Sequence, residues 1–105
     1  MSEVNAQSLG DLIVEEEIPL TLGELCHACS ASEEYVVAWV FEGVLEPVGQ
    51  APQEWLFTGQ SLSRAKLASS FTRDLDMNPP GIALALDLLD KIALLEAKLQ
   101  REIYR

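Results

Sequence analysis

Apolar residues recur at helical spacing in four separate blocks of the chain, and each block opens on a residue able to cap a helix. The first follows Thr21-Leu22-Gly23-Glu24. This has the spacing of a capping box, in which the Thr21 hydroxyl accepts from the backbone three residues on and Glu24 reaches back. The block runs through Cys29 into Ser30-Ala31-Ser32. There Ser32 caps a second helix, whose first turn places Glu33 and Glu34 at the positive end of the helix dipole. Val36, Val37, Val40, Phe41 and Val44 form its apolar stripe, and it ends at Gly43 or just past it because Pro47 bars continuation. Two short helices joined by a tight turn are expected, the plan of a helix-turn-helix.

After it, Gly49, Pro52 and Gly59 bracket the short aromatic run Trp55-Leu56-Phe57, which predicts a turn and one or two short strands, a wing. Ser61 is the expected cap of a third helix, with Leu67, Phe71 and Leu75 at four-residue spacing. The stretch Asp76-Met77-Asn78-Pro79-Pro80-Gly81 then breaks the pattern. Proline fits the first turn of a helix, where its missing N–H has no partner to lose, so Asn78 is the expected cap of a fourth helix running to the C-terminus, residues 79–105. At the other end, residues 1–10 carry no periodic apolar pattern and read as a tail before a single domain of residues 11–105. Residues 11–20 suggest a short extended segment leading to Pro19.

The fourth helix carries two stripes. Ile82, Leu86, Leu89 and Ala93 form a face suited to the core, whereas Leu88, Ile92, Leu95 and Leu99 alternate by four and three as in a coiled-coil seam. That second stripe cannot be buried on a domain already behind it. The simplest cover is the same helix of a second copy, giving a homodimer whose interface is Leu88, Ile92, Leu95 and Leu99. The alternative is a helix packed wholly within one chain.

Charge changes the picture most. The net charge is −10, but residues 1–63 contain eleven carboxylates and no lysine or arginine, while residues 64–105 contain six acids and all seven bases. Nucleic-acid binding draws most of its affinity from cations that neutralise phosphates and release counterions, so the first segment should repel a duplex. An acidic surface aids solubility in any protein, yet concentration of the whole excess on one segment points to a basic partner. No direct nucleic-acid contact is expected. The longest apolar stretch, residues 81–95, is broken by Asp87, Asp90 and Lys91 and falls short of the roughly 18 uninterrupted residues of a membrane span. Two cysteines and no opening apolar run predict a cytoplasmic protein without disulfides or membrane attachment.

Candidate chemistry is sparse. Cys26-His27-Ala28-Cys29 could place two thiols on one helix face, but a closed zinc site needs four ligands and the sequence has no other His or Cys. A redox role for the pair needs a preceding strand in a thioredoxin-like alternation, which this mainly helical chain lacks. The thiols therefore read as small hydrophobes of the first helix, His27 as an exposed helix residue, and no metal or other cofactor is expected. Without a phosphate-binding glycine loop, or a nucleophile beside a histidine base, nothing argues for an enzyme. Trp39, Trp55 and Phe57 read as core or wing packing, since no basic groups interleave with them.

Several segments resemble the chaperone-modulatory proteins of the CbpM type: "LTLGELC", "SEEYVVAWVFEGVLEP", "EWLF" and, most specifically, "RDLDMNPPGIALALDLLDKIALLEAKL". Pro80-Gly81-Ile82-Ala83 followed by Leu86, Leu88, Leu89 and Asp90 carries the signature. The resemblance implies a mainly α protein with a MerR-like winged helix-turn-helix and a long C-terminal dimerisation helix. It further implies a non-enzymatic modulator that binds the J-domain of a DnaJ-like, curved-DNA-binding co-chaperone. Such binding inhibits both stimulation of the DnaK chaperone and association with DNA. J-domains of that kind present a basic helix beside a His-Pro-Asp loop, to which an acidic helix-turn-helix is complementary. The charge map, not the resemblance, selects Glu33, Glu34, Glu42, Glu46 and Glu24 as the contacts. MerR-type activators carry arginines in the second helix and a basic wing, and this sequence has acidic or neutral residues there. A MerR-like transcription regulator that reads an operator is the alternative, and a thiol or zinc sensor a more distant one.

Overall fold

The computed structural model describes residues 18–103. Residues 1–17, with the whole of the expected tail and most of the extended segment, and residues 104–105 lie outside the described part. The order of elements is β1 (Leu20–Thr21), α1 (Leu22–Cys29), α2 (Glu33–Phe41), a single 3-10 turn (Pro52–Glu54), β2 (Leu56–Phe57), α3 (Gly59–Leu75) and α4 (Pro79–Ile103). The chain is mainly helical, and its helix-turn-helix is followed by a small wing. Strands β1 and β2 pair antiparallel, with Leu20 opposite Phe57 and Thr21 opposite Leu56. Val48 adds a further bridge to Leu56.

Each helix start is written into the sequence as a hydrogen bond. Thr21 and Glu24 form both bonds of the capping box, at 3.2 and 2.9 Å. Ser32 Oγ accepts from the Tyr35 amide at 3.3 Å, and Asn78 Oδ1 from the Gly81 amide at 2.8 Å. The third start differs from expectation. Thr58, not Ser61, caps α3, and its hydroxyl accepts from the Ser61 amide at 3.3 Å while Ser61 itself is buried inside the first turn. The strand ending at Phe57 leaves no room for a longer linker, so the helix begins as soon as the chain leaves the sheet.

The core is built on Trp39, Phe57, Leu25, Leu45, Ile82, Val36 and Val44, all essentially inaccessible. From α2 it receives Val36 and Trp39. Phe41, expected in the same stripe, is 77% exposed. Helix α2 also ends earlier than Gly43. Glu42 closes it, Gly43 takes φ +83°, and the amides of Gly43 and Val44 return to the carbonyls of Val40 and Trp39. This left-handed exit turns the chain by one residue and drives Val44 and Leu45 into the core. Gly49 in the wing has φ +122°, and a Cβ there would meet the Glu54 carbonyl oxygen at 2.8 Å, so only glycine fits.

Helix α3 presents a face of small residues. Ala65, Ala68, Ser61 and Ser69 are buried, whereas Leu67 and Leu75 are exposed and Phe71 is half-buried. The regular repeat of Leu67, Phe71 and Leu75 is therefore not the inner face. Small side chains let α1 approach the α3 backbone, and the bulk of the core comes from α1, α2 and the wing instead. Helix α4 buries Ile82 and Leu86 in the core, with Ala83 packed against its edge. Leu89 is 43% exposed and Ala93 is exposed, contrary to the expected core face, because α4 runs past the end of the domain. From Asp87 to Ile103 every residue is exposed.

Candidate partner-binding surface

In a helix-turn-helix the second helix faces the ligand, so the exposed side of α2 is the natural site. Residues 34, 38 and 41 share one row because they are spaced by four and three. Burial of Val36 and Trp39 turns that row outward. The row starts with the Glu34 carboxylate and ends with the Phe41 ring, and Glu42 follows at the cap. Phe41 is the residue that periodicity alone misassigns; its offset from Val36 and Trp39 along the helix was the available signal.

The five expected contact residues are all exposed, but they do not form one patch. Glu34 and Glu42 lie on the outer part of α2. Glu33 borders a shallow depression of about 240 Å³ with Thr21, Leu22, Gly23, Pro52 and Gln53, between the start of α1 and the wing. Glu24 stands at the same α1 terminus, its carboxylate already accepting from the Thr21 amide. Glu46 lies past the α2 exit, in a cleft of about 500 Å³ that also contains Arg64, Asp87 and Asp90. Acidic groups thus border the helix-turn-helix on three sides.

The first cation in the chain, Arg64, is occupied internally. Its Nε donates to the Val44 carbonyl at 2.8 Å and its terminal nitrogen to both oxygens of Asp90 at 3.2 and 3.0 Å. That clamp joins the α2 exit, α3 and α4. Arg73 lies 3.6 Å from Asp74 and Lys91 3.3 Å from Asp87. No lysine or arginine lies in α1, α2 or the wing to meet a phosphate.

The cysteines behave as packing residues. Cys29 is buried and Cys26 half-buried, with Cys29 Sγ donating weakly to the Cys26 carbonyl at 3.9 Å. Burial pushes the Cys26 thiol pKa above the ordinary value of 9.0, and the nearby Cys29 and Glu33 push it further. Burial also raises Cys29, partly opposed by backbone hydrogen bonds. Reactive thiols have lowered, not raised, pKa values. Among the described residues no three His, Cys, Asp or Glu side chains are grouped to hold a metal ion, and no helix is long and apolar enough to cross a membrane. Trp39 leaves the only buried side-chain N or O atom without a partner among the described residues, its indole Nε1.

On α4, Leu88, Ile92, Leu95 and Leu99 are 50, 50, 62 and 59% exposed. Leu84 and Ile103 extend the row at 61 and 63%. Ile82 and Leu86 hold the opposite side against the core, so this row is left over.

Residues 20–102 match the family described as MerR HTH family regulatory protein. A chaperone modulatory protein CbpM of Coxiella burnetii (strain Dugway 5J108-111) is 45% identical over 90% of this chain and 89% of its own length. Its namesake in Pseudomonas putida (strain W619) is 35% identical over 77% of this chain and 80% of its own. That of Pseudomonas entomophila (strain L48) is 31% identical over the same shares.

Proposed function

Since the chain belongs to the CbpM family of chaperone modulatory proteins, within the MerR helix-turn-helix regulators, we propose that it acts by occupying the J-domain of a DnaJ-like co-chaperone. A chaperone-modulating role comes with that membership; the choice of partner is our reading. The observation that carries it is the outward side of α2, where Glu34 and Glu42 stand in place of cations, with Glu33 exposed beside it at the α1 and wing border. Such a surface repels a phosphate backbone and attracts a basic protein helix. Bound there, the protein covers the basic surface through which a J-domain engages its DnaK-type partner, and occupancy alone inhibits. A curved-DNA-binding co-chaperone held in this way also loses access to DNA. No covalent chemistry is involved, and the protein is not an enzyme in this account. It works in the cytoplasm as a homodimer joined through Leu88, Ile92, Leu95 and Leu99 of α4.

Charge in this arrangement sets encounter rate and orientation more than final affinity. Reversing it makes a sharp test. Glu33→Lys with Glu34→Lys keeps both residues on solvent, so the fold should hold. Binding to a purified J-domain, followed by calorimetry, is expected to weaken about tenfold or more. Unchanged affinity defeats the assignment of this surface.

A further inference from the structure

We infer that Phe41 is the apolar anchor of this docking surface, and that its occupant is a basic protein helix with an apolar gap between its lysines or arginines. The inference rests on the reading of the acidic face as a protein-binding surface and specifies what that surface recognises. Scattered apolar residues are ordinary on any protein surface, so exposure alone decides nothing. Three features set Phe41 apart from the others.

First, its ring is not loose. It lies 6.4 Å from Trp55 at 70°, edge to face, and Trp55 in turn lies 6.1 Å from the buried Phe57 at 84°. The ladder of rings props Phe41 from below while 77% of the residue stays exposed. A side chain held before binding loses little freedom on binding, which favours affinity. Second, it closes the outward row that begins with Glu34, about 10 Å away along the helix axis at 1.5 Å per residue. Glu42 is its neighbour in the chain, and Glu46 follows past the Gly43 turn. An aromatic bracketed by carboxylates suits a partner whose basic groups flank an apolar spot. The stems of its lysines or arginines can lie across the ring face while their heads reach the acids. Third, charge complementarity excludes the competing occupants. A nucleic acid meets no lysine or arginine from α1, α2 or the wing, and Arg73 of α3, beside the turn and Tyr35, lies 3.6 Å from Asp74; a second copy of the same acidic segment meets mainly its own sign.

The acids and the ring then have separable effects. Rim charges govern association rate and salt dependence, whereas a central aromatic governs dissociation. Surface plasmon resonance on an immobilised J-domain separates them. Phe41→Ala is expected to raise the dissociation rate and weaken binding roughly 10- to 100-fold, with little change in association rate. Phe41→Leu, which keeps an apolar group, should lose less. Leu75→Ala, another exposed apolar residue at 63% on the end of α3, serves as the control and should bind as the parent does. Thermal unfolding accompanies each variant, and Phe41→Ala should melt close to the parent because its side chain is mostly in solvent. Parent-like affinity for Phe41→Ala, alongside weakened Glu33→Lys/Glu34→Lys, overturns the anchor and leaves the acidic surface standing. Parent-like affinity in both sets overturns the anchor and the surface together.

Discussion

Replacing one leucine on the free row of α4 should dissociate the proposed homodimer, and exposure along that row sets how strongly. Fully burying a leucine or isoleucine is worth ~1.5–3 kcal/mol. Leu88, Ile92, Leu95 and Leu99 are each between 50 and 62% exposed, so roughly half of that remains to be gained. This amounts to about 1 kcal/mol per side chain. A two-fold pair uses each residue twice, giving a gross gain of about 8 kcal/mol against an association cost of ~4–15 kcal/mol. Leu84 and Ile103 add to the favourable side, and the balance predicts a dimer of modest affinity. Leu95→Ala removes about 1 kcal/mol from each protomer, hence about 2 kcal/mol per dimer, and should raise the dimer Kd about 30-fold. Leu95→Asp should abolish association. Leu94, 54% exposed but off the row, is the internal control, and Leu94→Asp should leave the mass unchanged. Sedimentation equilibrium over a concentration series reads all three. A linked signal comes from the helix, since residues 91–103 lie beyond the Arg64–Asp90 clamp with every side chain exposed, and a free helix of that length is marginal in water. The Leu95→Asp monomer should lose ellipticity at 222 nm. Equal masses for Leu95→Asp and the parent, or equal damage from Leu94→Asp, would refute the interface.

Two further predictions concern the core and the thiols. Trp39→Ala should cost about 3–5 kcal/mol in urea unfolding, because Trp39 is 0% exposed; Trp39→Phe should cost distinctly less, since it keeps ring packing and deletes the unpartnered indole N–H. Both variants delete the indole N–H, so a Trp39→Phe cost as large as that of Trp39→Ala would contradict the packing role of the ring. The raised thiol pKa values of Cys26 and Cys29 mean that the fold favours the neutral forms: their contribution is whole below the ordinary value of 9.0 and is lost as pH rises through the folded values. Stability should therefore fall in the alkaline range, less so in Cys26→Ala/Cys29→Ala. Iodoacetamide at pH 8 should label the native thiols more slowly than a free cysteine, and faster labelling would contradict their assignment as inert packing residues.

What the sequence made legible were features decided locally. The Thr21–Glu24 box, the Ser32 cap and the Asn78-Pro79-Pro80 start each depend on residues within one turn, and each is present. The wing was readable from Gly49 and the aromatic run, because the turn requires a positive φ that glycine supplies. Features decided by distant neighbours were not legible. Leu67, Phe71 and Leu75 repeat as regularly as Ala65, Ala68 and Ser69, and only the approach of α1 selects the small face of α3. Periodicity likewise runs on through Leu89 and Ala93 after the core has ended at Leu86, since a helix carries no mark of where its neighbours stop. Phe41 was misassigned for a related reason: the left-handed exit at Gly43, not the helix, delivers Val44 to the core, so the stripe never needed Phe41. The charge asymmetry was plain in the sequence, but its division among the α2 face, the α1 terminus and the Arg64 cleft needed the fold.

The central claim is that this helix-turn-helix selects a basic protein surface over a nucleic acid. It is tested most directly by titrating the full-length protein, in parallel, into a fluorescent J-domain and a fluorescent DNA duplex at low and at moderate salt. The account predicts saturable binding to the J-domain that weakens as salt rises, with the duplex unbound at both concentrations. Retention of the duplex with a steep salt dependence, while the J-domain stays free, would contradict it and leave an operator-reading regulator in its place.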